Sequence, residues 1–196
     1  MISRHLLRIK IFQTIYAYRK NDERDFKAVY SELQTSIHKS YQLYLSTLQF
    51  LLELKQFSEH RILQIQSRVI KDEKEWKRLV PFAENKILNQ LEKNKSLQTI
   101  IRNEKISWHE HQDVVKELFA YVIDSEQYKD FCAHEQSYNN TKKFVKYILY
   151  SVVLQSESFF GFIEESSIFW NDDVDQIVAM VFKTLNKFTE ENPEGG

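Results

Sequence analysis

The sequence predicts an all-α protein: a multi-helix bundle with a long second helix. Three observations carry that expectation. Only three glycines and two prolines stand among 196 residues, so helix breakers are scarce. Apolar residues recur at three- and four-residue steps, the period of one helix face. Hydrophobic residues make up 42% of the chain, enough for a real core. We read residues 1–196 as a single helical unit. Within it, 1–70 form a basic helix and a long helix, 71–190 form additional helices, and 191–196 form a frayed polar tail.

Taken in order, Ser3 is placed to cap a first helix that runs to about Lys20. Asn21, Asp22 and Glu23 make a turn. A second helix starts near Asp25 or Phe26 and carries Val29, Leu33, Ile37, Tyr41, Tyr44, Leu48, Leu51 and Leu52 on one face. It meets no breaker before Pro81, so it extends to about residue 70, with Ser58, Glu59 and His60 as the place for an interruption. Residues 71–78 are charged and read as a connector. Pro81 suits the first turn of a helix carrying Phe82, Ile87, Leu88 and Leu91. Further helices are expected over 108–123, 126–132, 141–155 and 174–188. Asn171, Asp172 and Asp173 precede the last one as cap and as charge complementary to its dipole.

Composition excludes several functions. Phosphate-cradling loops need closely spaced glycines, and Gly161, Gly195 and Gly196 cannot build one. The single cysteine, Cys132, forms no disulfide within the chain, which fits a cytoplasmic protein. Arg8 and Lys10 interrupt what would be the apolar core of a secretory signal. The longest apolar run, 147–154, is broken by Ser151 and is far short of a membrane span. Net charge is −1, but it is unevenly placed. Residues 4–20 hold Arg4, Arg8, Lys10, Arg19 and Lys20 with no acid, while 156–196 hold nine acids against Lys183 and Lys187. A basic head and an acidic tail point to two partners or to an internal electrostatic contact.

Residues 4–16 read Arg-His-Leu-Leu-Arg-Ile-Lys-Ile-Phe-Gln-Thr-Ile-Tyr. This segment resembles the arginine-rich opening of the NusB family of bacterial transcription antitermination factors, R-R-x-A-R-E-x-A-L-Q-x-L-Y. Arg4, Arg8, Gln13 and Tyr16 match it, and Phe12 and Ile15 are conservative. His5 stands where the family has an arginine, Leu7 and Ile11 replace alanines, and Ile9 replaces a glutamate. More loosely, 81–91 and 169–173 resemble extra helices of a longer variant of the family. The family's C-terminal stretches, N-E-x-V-x-L-A and F-V-N-G, are not found, so the chain reads as the N-terminal portion of such a protein or as one whose second half was lost.

The resemblance implies an all-α, non-enzymatic protein without cofactor. It implies boxA-like single-stranded RNA as partner, together with ribosomal protein S10, other Nus factors and RNA polymerase. S10 engages largely the family half that is missing here. The implied RNA-binding residues are Arg4, His5, Arg8, Lys10, Gln13 and Tyr16. Cations neutralise phosphates, Tyr16 and Tyr18 can stack on bases, and Gln13 can bond a base edge. On a helical wheel Arg4 and Arg8 lie one turn apart, near Leu7, Ile11 and Ile15, the expected core side. Arg8 therefore has a rival role, with its head paired to a carboxylate of the acidic C-terminal segment. Lys10 is expected to face solvent as a nonspecific phosphate contact.

Other clusters have structural explanations. His109 and His111 are two apart and diverge on a helix, so they are expected in a solvated first turn and not as metal ligands. Asp172, Asp173 and Asp175 lack the glycine turn and bidentate glutamate of an EF-hand loop, which favours capping. Cys132 with His134 has no orienting third group and reads as a half-buried structural cysteine. Phe159, Phe160, Gly161 and Phe162 are too apolar for an exposed loop and are expected to be buried. Tyr41, Tyr44, Phe50, Phe169 and Trp170 are expected in the core or on a docking surface. The alternative to RNA binding is a helical protein-interaction module, which requires Arg4 and His5 to be paired or buried.

Overall fold

The computed structural model describes residues 2–20, 25–70 and 72–192. Among them are ten α-helices and no strand. They are α1 (Arg4–Lys20), α2 (Phe26–Ser67), α3 (Glu73–Ala83), α4 (Lys86–Lys93) and α5 (Lys95–Asn103), then α6 (Gln112–Asp124), α7 (Glu126–Ala133), α8 (Tyr138–Ile148), α9 (Glu157–Ser166) and α10 (Val174–Lys187). The expected turn at 21–23 and most of the tail lie outside the described residues.

The 42 residues of α2 make a rod about 63 Å long at ~1.5 Å per residue. It contacts α1, α3, α4, α5, α6 and α10, so the bundle is built around it. Its buried face follows the alternating three- and four-residue step: Val29, Ser36, Ser40, Leu43, Thr47, Phe50, Leu54, Ser58 and Ile65. The helix runs straight through 58–60 without interruption. Ser58 is buried there and donates its hydroxyl to the Leu79 carbonyl at 3.1 Å, tying α2 to α3. Lys55 is buried one turn earlier and pairs with both Glu59 and Glu92. Burial opposes its charge, but the bonds to Glu59 and Glu92 prevail and hold the ammonium above its ordinary pKa.

Four elements depart from expectation. Most of the presumed connector over 71–78 is helical: α3 starts at Glu73, capped by Asp72, which accepts from the amides of Lys74 and Glu75. Pro81 lies near the end of α3, where its missing N–H removes one bond shortly before the helix stops. A new helix, α4, then begins because Asn85 accepts from the amides of Ile87 and Leu88 at 3.0 and 3.2 Å. Asn94 does the same for α5, accepting from Leu97 at 2.9 Å, in a stretch where no helix was expected. The apolar 159–162 run is itself helical within α9, with Phe159 and Phe162 buried and Phe160 half-buried.

Two aromatic groups fill the core. Phe50, Trp108, Phe159 and Phe162 form one, with Trp108 stacked on Phe162 at 4.0 Å between centroids. Phe82, Phe119, Tyr128, Phe131 and Phe144 form the other. The buried polar ends find partners: Trp108 donates to the Ser46 carbonyl at 3.0 Å, and Tyr128 donates to that of Arg78 at 2.5 Å. No helix among the described residues is long and apolar enough to cross a membrane.

Candidate nucleic-acid interface

Helix α1 has no acid in its first turn and ends on Arg19 and Lys20. Ser3 caps it, accepting from the Leu6 amide at 3.1 Å. Only Leu6 and Lys10 are buried along its length, which sets the phase of the whole helix. Successive residues turn by about 100°, so positions near Leu6 and Lys10 face α2, and Arg4, Arg8, Ile11, Ile15 and Arg19 share the opposite side. The grouping of Arg4 and Arg8 with Ile11 and Ile15 agrees with the helical wheel, but that side faces solvent. Ile11 is 43% exposed, Ile15 51% and Phe12 71%.

Lys10 corrects the sequence reading outright. It is 4% exposed, not in solvent, and cannot reach a phosphate from there. Its Nζ lies 2.8 Å from Oδ2 of Asp173, which is fully buried, and donates to the Phe169 carbonyl at 3.2 Å. Ser40 of α2 donates to the same Asp173 oxygen at 2.5 Å. Asp173 stands at the start of α10 but makes no side-chain cap bond, because its carboxylate is turned to Lys10 and Ser40. The internal contact between basic head and acidic tail therefore exists, made by Lys10 and not by Arg8.

The remaining expected residues divide. Arg4, His5 and Arg8 are exposed, and among the described residues none has an ion-pair partner. Tyr16 is exposed, with the Lys20 ammonium 5.6 Å from its ring centre. Gln13 is exposed, but its amide donates to Asp172 at 3.3 Å. Residues 167–173 thus dock on α1 through Gln13 and Lys10, and on α2 through Trp170, whose indole donates to the Lys39 carbonyl at 2.8 Å.

Sequence reasoning missed Phe12 as a surface residue, and missed the exposed Phe26 and Tyr30 at the start of α2. Apolar character alone does not tell a core ring from a surface one; the usable signal at Phe26 was its charged flanks, Asp25 and Lys27. Elsewhere, His111 packs edge-on against Phe162 at 4.8 Å while His109 is exposed. His134 sits on Asp130, 2.8 Å from its carbonyl. Cys132 is half-buried, and burial pushes its thiol up. Among the described residues no three His, Cys, Asp or Glu side chains converge as a metal site would require.

The fold and this surface define an all-α protein that presents a cationic, aromatic first helix. Compared with known protein families, curated proteins and solved structures, the chain matches none.

Proposed function

We propose that the chain is a NusB-like, RNA-binding transcription antitermination factor that contacts boxA-like single-stranded RNA through α1 in the cytoplasm. One observation carries the reading. Arg4, His5 and Arg8 stand exposed without ion-pair partners among the described residues, on the same helix as exposed Phe12 and Tyr16. Single-stranded RNA is gripped by that combination: cations along the backbone and rings on which bases stack. Arg4 and Arg8 take phosphates, Tyr16 and Phe12 offer stacking faces, and Gln13 bonds a base edge once released from Asp172. Lys10 has no part in it. Ribosomal protein S10, other Nus factors and RNA polymerase are the further partners on this reading.

The second reading, a protein-interaction module without nucleic-acid binding, is weakened because Arg4 and His5 are exposed and have no ion-pair partner among the described residues, but it keeps one observation of its own. The exposed apolar row of Ile11, Phe12 and Ile15 fits the groove of a partner protein.

Fluorescence anisotropy with a boxA-like RNA and a scrambled control separates the two. With about three or four phosphate contacts, log affinity falls against log salt with a slope of about −2 to −3, at ~0.7 per contact. Arg4→Ala/Arg8→Ala, shown to be folded by circular dichroism, loses the binding. Equal affinity for the scrambled RNA defeats the boxA reading, and no binding by folded wild type leaves the protein-interaction module.

A further inference from the structure

A groove of about 390 Å³ opens beside the first turn of α1, where α2 and α10 meet it. Ser3 and Arg4 line it from the start of α1, Tyr44 from α2, and Lys183, Thr184 and Lys187 from α10. Three cations and three hydroxyls therefore converge, and no carboxylate is among the lining residues. The rest of α10's surroundings make this unusual, since 156–196 is otherwise strongly acidic.

A structural role for the two lysines is already filled by others. The last turn of a helix leaves carbonyls that favour a cation. Here Lys142 serves them: its Nζ donates to the Phe188 carbonyl at 2.6 Å and lies 3.4 Å from that of Asn186. Lys146 adds a bond to Asn186 Oδ1 at 2.5 Å. Partial burial first, and the neighbouring charge of Lys146 second, lower the pKa of Lys142, as expected where positive charge accumulates. Lys183 and Lys187 lie four residues apart, one helical turn, and like charges at that spacing destabilise a helix. Neither has an ion-pair partner among the described residues, and Arg4 faces them across the groove. An anion held between them removes the repulsion. The hydroxyls of Tyr44 and Thr184, 2.8 Å apart, bond to each other, and Thr184 donates on to the Met180 carbonyl at 3.2 Å, so the three cations are what the groove offers an anion.

We infer that this groove is a phosphate-binding site, in which Lys183 and Lys187 clamp a phosphate group that Arg4 approaches from α1. The inference rests on the proposed RNA reading only for the source of that group. Arg4 also belongs to the outer face of α1, so a strand lying along α1 arrives at the groove. A free polyphosphate is the other source.

The test uses the full chain and two probes, inorganic pyrophosphate and the boxA-like RNA. In an amide-resolved NMR titration, pyrophosphate shifts residues 3–5 and 183–187 saturably. Lys183→Gln/Lys187→Gln, exposed positions whose change leaves the fold intact, weakens that binding by about tenfold or more, the scale of one lost charge-assisted bond. Lys116→Gln/Lys129→Gln, on α6 and α7, leaves it unchanged. With RNA, losing the one phosphate that the two lysines share makes the salt slope shallower by about 0.7. A shallower slope assigns the phosphate to the strand. A pyrophosphate response without any RNA binding keeps the groove as a small-anion site and removes the RNA reading. Absence of both a saturable shift at 183–187 and a slope change overturns the groove, even where Arg8→Ala still weakens RNA. So does an equal loss in the α6/α7 control.

Discussion

Lys10 and Arg8 are two positions apart on α1 and end in opposite environments, because two helical steps turn a side chain through about 200°. Arg8 stays in water, while Lys10 closes a buried pair with Asp173 to which Ser40 also donates. Burying two charges costs much of what their attraction returns, so the pair adds little net stability while intact. Breaking it is another matter, since the survivor is left unpaired in the interior. Asp173→Ala and Lys10→Met should each lower unfolding free energy by about 3–5 kcal/mol in urea titrations, and Lys10→Met/Asp173→Ala should recover much of that. Single variants within ~1 kcal/mol of wild type would show the pair to be solvated. Tyr128 gives a second residue-level test. Burial holds its phenol above the ordinary value of 10.0, so the folded chain keeps a proton that the unfolded chain releases. Lys55, also raised above its ordinary value of 10.5, acts in the same direction. Stability from both is intact below about pH 10 and falls as pH rises beyond it. Tyr128→Phe loses the bond to the Arg78 carbonyl and about 1 kcal/mol at pH 7, yet its stability declines less steeply between about pH 10 and 12. Parallel alkaline limbs for wild type and variant would assign the fall to other groups.

Among the elements, α1 separates what local pattern determines from what distant packing determines. Its ends were legible: Ser3 is a cap residue and the chain turns polar after Lys20. Its phase was not. Ile11 and Ile15 look like core residues, and a lysine at 10 looks like surface. The phase depends on residues 167–173, more than 150 positions away, which bring Asp173 to Lys10 and Phe169's carbonyl beside it. Nothing within α1 announces that partner. The exposed row therefore makes an unusual expectation for apolar residues. Phe12→Ser and Ile15→Ser should change stability by no more than about 0.5 kcal/mol, as at ordinary surface sites. Phe12→Ala and Tyr16→Ala should weaken RNA binding by about 1–3 kcal/mol for each base that stacks on them. A large stability loss in thermal melts of Phe12→Ser would put that ring in a packed interface and weaken its role as a stacking face. Short helices were missed for a different reason. Residues 95–103 and 157–166 make only about three turns each, and their start signals, Asn94 and Ser156, are single side chains whose caps show only in the bonds to Leu97 and Phe159.

At the scale of the whole molecule, the all-α class and the long second helix were legible because scarcity of breakers and a sustained helical period are properties of the chain itself. How many helices pack against α2, and in which order around it, depends on pairings between distant segments. That arrangement also decides how the molecule comes apart. α2 spans from the α1 contact to the α3 contact, and α4, α5, α6 and α10 all touch it, while α7, α8 and α9 join the bundle through α4 and α6. The Lys10–Asp173 pair joins the first helix to the last. A chain divided at residue 70 would leave Leu48, Phe50, Leu51 and Leu54 of α2 without the aromatic surfaces they now meet. One cooperative transition follows, with no range of denaturant in which the first two helices persist alone. Trp108 and Trp170 are both buried and report the later segments where they bond to α2, through the Ser46 and Lys39 carbonyls. Their fluorescence and the far-ultraviolet circular dichroism of the helices should therefore give superimposable urea transitions with one midpoint. If fluorescence changes first and helicity persists, the later helices detach while α2 remains folded, and residues 1–70 behave as a separate unit.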